Sequence, residues 1–98
     1  MEPKHTVTRE HLQRYFKLTG QALEMVRTHP MDVDRIEQAN DFLDMATRYF
    51  SDAKHFQEKG DWVLAISALN YAHGWLDAGA RIGLFKVKDN RLFTVDDK

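Results

Sequence analysis

Apolar positions recur at three- and four-residue spacing along most of the chain, and the pattern breaks at Pro30 and Gly60. The spacing predicts three helices, over about 8–28, 32–59 and 61–85, with a tail at 86–98. In the first, Leu12, Tyr15, Phe16, Thr19, Ala22, Leu23 and Val26 share a face, with Gly20 beside them as a point of close approach. Thr8 is placed to cap its start, and Val7 to staple onto Leu12. Arg27 and His29 put cations at its C-terminal end, where Pro30 stops the ladder. Asp32 is the next N-cap, with Met31 and Ile36 at staple positions. The second helix presents Ile36, Ala39, Leu43, Ala46, Phe50 and Ala53 to the core, widened by Phe42, Tyr49 and Phe56. Its opposite face, Glu37, Asp41, Asp44, Arg48 and Asp52, reads as solvated, with Arg48 one turn from two acids. Gly60 supplies a left-handed stop and Asp61 caps the next helix at once. Helices two and three must therefore form an antiparallel hairpin.

The third helix has more apolar perimeter than a surface helix needs. One stripe is Leu64, Ala68, Tyr71, Trp75, Ala78, Ile82 and Phe85; the other is Trp62, Ile66, Leu69, His73, Leu76, Ala80 and Gly83. Ala65, Ala72 and Gly79 close the gap between them, so only Ser67, Asn70, Gly74, Asp77 and Arg81 are left for water. Such a helix must be covered on most sides, and two partner helices cannot wrap it. Past Phe85, the alternation of Phe85, Val87, Phe93 and Val95 about the turn signal Asp89-Asn90 predicts a short hairpin or extended arm. An isolated hairpin is marginal in water, so the arm should lie on the bundle or on a neighbouring subunit. The expected class is all-α, a bundle of about three long antiparallel helices completed by oligomerisation. Leu64, Tyr71, Trp75, Ile82 and Phe85 are the expected subunit interface, a dimer or tetramer.

Ninety-eight residues allow one domain and one core. Fourteen Lys and Arg against fifteen Asp and Glu, with five His, create no strong field toward nucleic acid or an anionic membrane. Arg81, Lys86, Lys88 and Arg91 interleave with Phe85 and Phe93, which is how a nucleic-acid contact could look. Asp89, Asp96 and Asp97 offset them, and the stretch reads as a charged solvated tail with no nucleic-acid partner expected. The absence of Cys excludes disulfides, thiolate zinc sites and thiol nucleophiles, and fits a reducing cytoplasm. A polar Met1-Glu2-Pro3-Lys4 start and a longest aliphatic run of Val63 to Ile66 predict neither signal peptide nor membrane span.

Candidate chemistry is sparse. Asn70, His73 and Asp77 fall on neighbouring turns, and an Asp one turn from a His can orient a general base. Since His73 falls among Trp62, Ile66, Leu69 and Leu76, the plainer expectation is a buried imidazole satisfied by Asp77 or Asn70. Arg48 and His55 stand seven residues apart, a spacing similar to the Arg-x6-His ribonuclease motif of small HEPN-type helical domains. There the pair would hold a phosphate and move a proton, although Asp44 and Asp52 neutralise Arg48 here. Asp52-x-x-His55 is half of a di-iron carboxylate pattern that lacks its other half, so no metal and no cofactor are expected. No phosphate loop, nucleophile elbow or dinucleotide fingerprint is present. Ala53, Phe56, Gly60, Asp61, Trp62, Ala65, Leu69 and Ala72 match one tetratricopeptide hairpin, but a solenoid needs about three, and any tight alanine-rich hairpin uses the same residues.

The segments Tyr49-Phe50-Ser51-Asp52-Ala53-Lys54-His55-Phe56, Lys59-Gly60-Asp61-Trp62 and Ala68-Leu69-Asn70-Tyr71-Ala72-His73-Gly74-Trp75-Leu76-Asp77-Ala78-Gly79 resemble a family of short archaeal helical proteins. It is known as domain of unknown function three-five-seven. Leu92-Phe93-Thr94-Val95 is similar to that family's tail. The resemblance implies an all-helical protein that assembles into a larger bundle, and it brings no catalytic residue with it. The expected function is that of a self-associating structural or interaction module without catalysis; the alternative is a metal-independent ribonuclease using Arg48 and His55.

Overall fold

Thr8 turns extended and its hydroxyl accepts the His11 amide at 3.1 Å, which starts α1 (Arg9–Thr28). The computed structural model describes residues 6–95. The leader Met1 to His5 and the residues Asp96 to Lys98, two of them acids weighed against the basic tail, lie outside the described residues. Along α1 the buried positions are Leu12, Thr19, Ala22, Leu23 and Val26, the apolar face expected for it.

The second helix begins later than its sequence suggests. Asp32 caps a short 3-10 turn, Val33–Arg35, and α2 runs Ile36–Glu58. The two residues expected to staple its start have different surroundings. Ile36 is exposed, whereas Met31 pairs in an isolated antiparallel bridge with Phe85. The remainder of α2 packs through alanine: Ala39, Ala46 and Ala53, one every seventh residue, are each fully buried. Opposite them α3 (Trp62–Arg81) offers Ala65, Ala68 and Ala72, and seams of this kind let two helices approach at the short end of the usual 8–10 Å range. Gly60, at φ 79°, makes the tight stop between them, and the Asp61 carboxylate caps α3 by accepting the Leu64 amide.

α3 is the hub. It packs against both other helices, while α1 and α2 touch each other sparsely. The result measures 45 × 28 × 19 Å, so its thin dimension is roughly two helix diameters. A slab this thin leaves one side of its central helix near the surface.

α3 is also shorter than the spacing implies. It ends at Arg81 instead of continuing to Phe85, because Gly83 takes a left-handed conformation, φ 80°, and the amides of Leu84 and Phe85 turn back to the Gly79 carbonyl. The chain reverses and drives the Phe85 ring onto Gly79, where a Cβ would lie 2.3 Å from Phe85 Cε2. Only glycine admits that ring. The chain then runs extended alongside the α1–α2 connection, held by Asp32 N–H donating to Leu84 O (2.9 Å) and Lys86 N–H to Pro30 O (3.0 Å). The Asp89-Asn90 signal does mark a turn, with the Leu92 and Phe93 amides donating to Asp89 O. It does not make a hairpin: among the described residues the only pairing is the Met31–Phe85 bridge. The arm lies instead on its own bundle, burying Leu84, Phe85, Val87, Leu92 and Phe93.

Candidate functional site

α3 has two working sides. On the side under the arm, His73, Asp77 and Arg81, one turn apart, each grip its backbone. His73 Nε2 lies 2.6 Å from Leu92 O and Nδ1 lies 3.1 Å from Thr19 Oγ1. A carbonyl can only accept, so Nε2–H donates to it, and in the neutral ring Nδ1 accepts from the buried Thr19 hydroxyl. The Asp77 carboxylate accepts the Thr94 amide and, at 2.7 Å, the Thr94 hydroxyl. Arg81 Nη1 donates to Thr94 O at 3.3 Å. His73 is therefore satisfied as the plainer reading expects, but by Thr19 and Leu92 rather than by Asp77 or Asn70. Asp77 turns to the arm, and both imidazole nitrogens are engaged within the chain. The signal for Thr19 was a hydroxyl on an otherwise apolar face; nothing in the sequence pointed to Thr94.

The other side of α3 is bare. Leu64, Tyr71 and Ile82 are 45%, 51% and 52% exposed, with Val63 and Ala78 also exposed. Trp75 is half-buried, edge-on to Phe42 at 4.9 Å, and Tyr71 stacks edge-on between Tyr49 and Trp75. The Trp75 indole N–H is buried and has no hydrogen-bond partner among the described residues. A groove of about 320 Å³ runs between Phe42, Asn70, Tyr71, Gly74, Trp75 and Ala78. Added at Gly74, a Cβ would meet nothing within 4 Å. Phe85, expected to continue this stripe, has left it: it is 2% exposed and belongs to the core. The correction has the same cause as the shortened helix, the reversal at Gly83.

Arg48 and His55 lie on the exposed face of α2. Arg48 Nε is paired with Asp44 at 2.9 Å, both side chains more than half exposed, and His55 contacts only the neighbouring Phe56 ring among the described aromatic pairs. Neither lines the grooves described here. Among the described residues no group of three His, Asp or Glu could hold a metal ion. In the basic stretch Phe85 and Phe93 are buried, so neither ring can stack on a base, and Arg91 is tied to Asp89 at 2.6 Å. No helix among the described residues is long and apolar enough to cross a membrane.

A family described as protein of unknown function, DUF357, matches residues 14–85 of the chain. The chain belongs to the DUF357 family. The matched span takes in most of α1, the α2–α3 hairpin and the reversal, and ends at the Phe85 ring that closes onto Gly79. The gripped arm of this DUF357 protein follows the matched residues. No curated protein and no solved structure matches the chain.

Proposed function

We propose that this DUF357 protein is a non-catalytic helical module that self-associates through the bare side of α3. The observation that carries the reading is the apolar line Leu64, Tyr71, Ala78 and Ile82 about the half-buried Trp75, which the described residues leave about half exposed. A second copy fits it best. No member of the line is charged, so a twofold axis across Gly74 would set Leu64 of one copy near Ile82 of the other. From Leu64 to Ile82 the line is about 27 Å long, and with the flanking Phe42 and Tyr49 of α2 it is about two helices wide. That is roughly 500 Å² per copy, or about 1,000 Å² in total, the lower end of specific interfaces. The expected assembly is a dimer with a dissociation constant in the micromolar range.

Sedimentation velocity across the micromolar range tests it, beside a Tyr71→Lys/Ile82→Lys variant. A dimer weakened at least about tenfold by the double substitution is expected, with unfolding free energy changed by no more than about 0.5 kcal/mol because both sites are on the surface. A monomer at every concentration would overturn self-association. A dimer indifferent to the substitutions would overturn this face.

A further inference from the structure

A hollow of about 920 Å³ lies where the ends of α1 and α3 meet the start of the arm. Its buried lining is apolar, supplied by Ala80, Phe85 and Val87, while its exposed lining is cationic, supplied by Arg81, Lys86 and Lys88 beside His29. The extended backbone explains the pairing: Val87 turns inward, and Lys86 and Lys88, two residues apart, share the outward side.

These cations are not consumed by the fold. The acid that lines the hollow, Asp89, is chelated by Arg91 at 2.6 and 3.1 Å. Asp32, which faces Lys86 at longer range, is held by Arg35 at 2.7 Å. Among the described residues no carboxylate lies within ion-pair distance of Arg81, Lys86 or Lys88. Several of the helix-end carbonyls, which often account for cations in such places, already have donors. Ile82, Gly83 and Leu84 amides close α3, and the side chains of Thr28 and His29 bond Glu24 O and Met25 O at the end of α1. Arg81 makes one bond to Thr94 O and keeps its other donors.

We infer that this hollow binds a small phosphate-bearing molecule with an apolar or aromatic part. Lys86, Lys88 and Arg81 take the phosphate oxygens as charge-assisted donors. The half-buried Met25 and Val95, over the Ala80, Phe85 and Val87 floor, take the remainder, and the hollow falls within the roughly 300–1,000 Å³ of small-molecule sites. A nucleic-acid strand is a poorer fit, because no aromatic ring here is free to stack and the charge is confined to one end of the slab.

The test titrates inorganic pyrophosphate, adenosine diphosphate and adenosine into the full chain at physiological ionic strength, following backbone amide resonances. Saturable shifts at Lys86 to Asp89 and His29 are expected, strongest with adenosine diphosphate, weaker with pyrophosphate and absent with adenosine. Lys86→Glu/Lys88→Glu should raise the dissociation constant at least about tenfold. Arg14→Glu/Lys17→Glu, an equal change of net charge on the first half of α1, should leave it within about twofold. Both pairs are exposed, so each variant keeps the fold, checked by its melting temperature. Pyrophosphate alone binding as tightly as the nucleotide would overturn the apolar half of the assignment. Absence of saturable shifts, or equal losses in both variants, would overturn the site. Because sedimentation measures association separately, failure here is distinguishable from failure of self-association.

Discussion

The two sides of α3 look alike as sequence and differ in the folded chain. Under the arm, Gly79, Ala80 and Leu76 are sealed by Phe85, Leu92 and Phe93, and even the polar His73 and Asp77 are used to hold the cover in place. On the other side Leu64, Tyr71 and Ile82 are about half exposed, with Tyr49 against Tyr71 and Phe42 against Trp75. The difference is a cover made from the segment after the Gly83 reversal, and it teaches that an apolar stripe specifies the need for a lid without specifying whose lid. Two stripes of similar strength were met in two ways, one sealed with the help of the chain's own C-terminal segment and the other only flanked by α2 among the described residues.

The comparison is most easily broken where the lid meets the helix. Phe85→Ala should lower the unfolding free energy by about 3–5 kcal/mol in urea denaturation, since a fully buried aromatic is removed from a packed site. Gly79→Ala should cost about 1–2 kcal/mol net, because the new methyl overlaps the Phe85 ring by more than the roughly 1 kcal/mol gained in helix propensity can offset. In the Phe85→Ala background the sign should reverse, with Gly79→Ala now stabilising by up to about 1 kcal/mol. A Gly79→Ala effect that is the same in both backgrounds would show that the ring does not close on that glycine.

These contacts also mark where the sequence was readable. The helix count, the capping of α1 by Thr8, the Gly60 stop and the α2–α3 hairpin follow from local residue chemistry, and each stands in the structure. The end of α3 did not, because Gly83 sits on an apolar stripe and Ile82 and Phe85 keep helical spacing across it. Periodicity cannot distinguish a helix that continues from one that reverses and packs its next aromatic back on itself. Likewise the spacing of His73 and Asp77 suggested mutual contact, whereas each bonds a segment remote in sequence, Thr19 and the Leu92–Thr94 stretch. Local pattern carries no information on such pairs.

A smaller effect is expected at the clasp itself. Asp77→Leu removes both bonds to Thr94 at a half-exposed position, so a loss of about 1 kcal/mol is expected rather than the larger cost of a sealed ionic hydrogen bond. The distinguishing measurement is hydrogen exchange. Amide protection should fall at Leu92 to Thr94 while that of Leu69 to Leu76 in α3 persists, since the arm opens locally before the hub unfolds. Equal loss in both places would mean that lid and helix open as one unit, and the contrast between covered and bare sides would then be a contrast in burial but not in stability.

Acid should act on the two turns that bracket the lid. The carboxyl of Asp32 is held below its ordinary value of 3.8 chiefly by the hydrogen bond from Arg35, then by the Asp34 amide. That of Asp89 is lowered from the same 3.8 chiefly by the Arg91 side chain, then by the Arg91 amide. A carboxyl whose value is lower folded than unfolded binds fewer protons in the native state. Its contribution is therefore complete above the unfolded value and is lost as pH falls through the folded one. Melting temperature should thus decline as pH drops below 3.8, and an Asp32→Asn/Asp89→Asn variant should decline less steeply over that window. Each carboxylate is partly covered but paired with a more exposed arginine that salt can screen, so this effect is the smallest of the set and should shrink further at high ionic strength. A variant with the same acid slope as the parent would mean that the turns hold the lid through backbone geometry alone, leaving Gly83 and the Phe85 ring as its anchors.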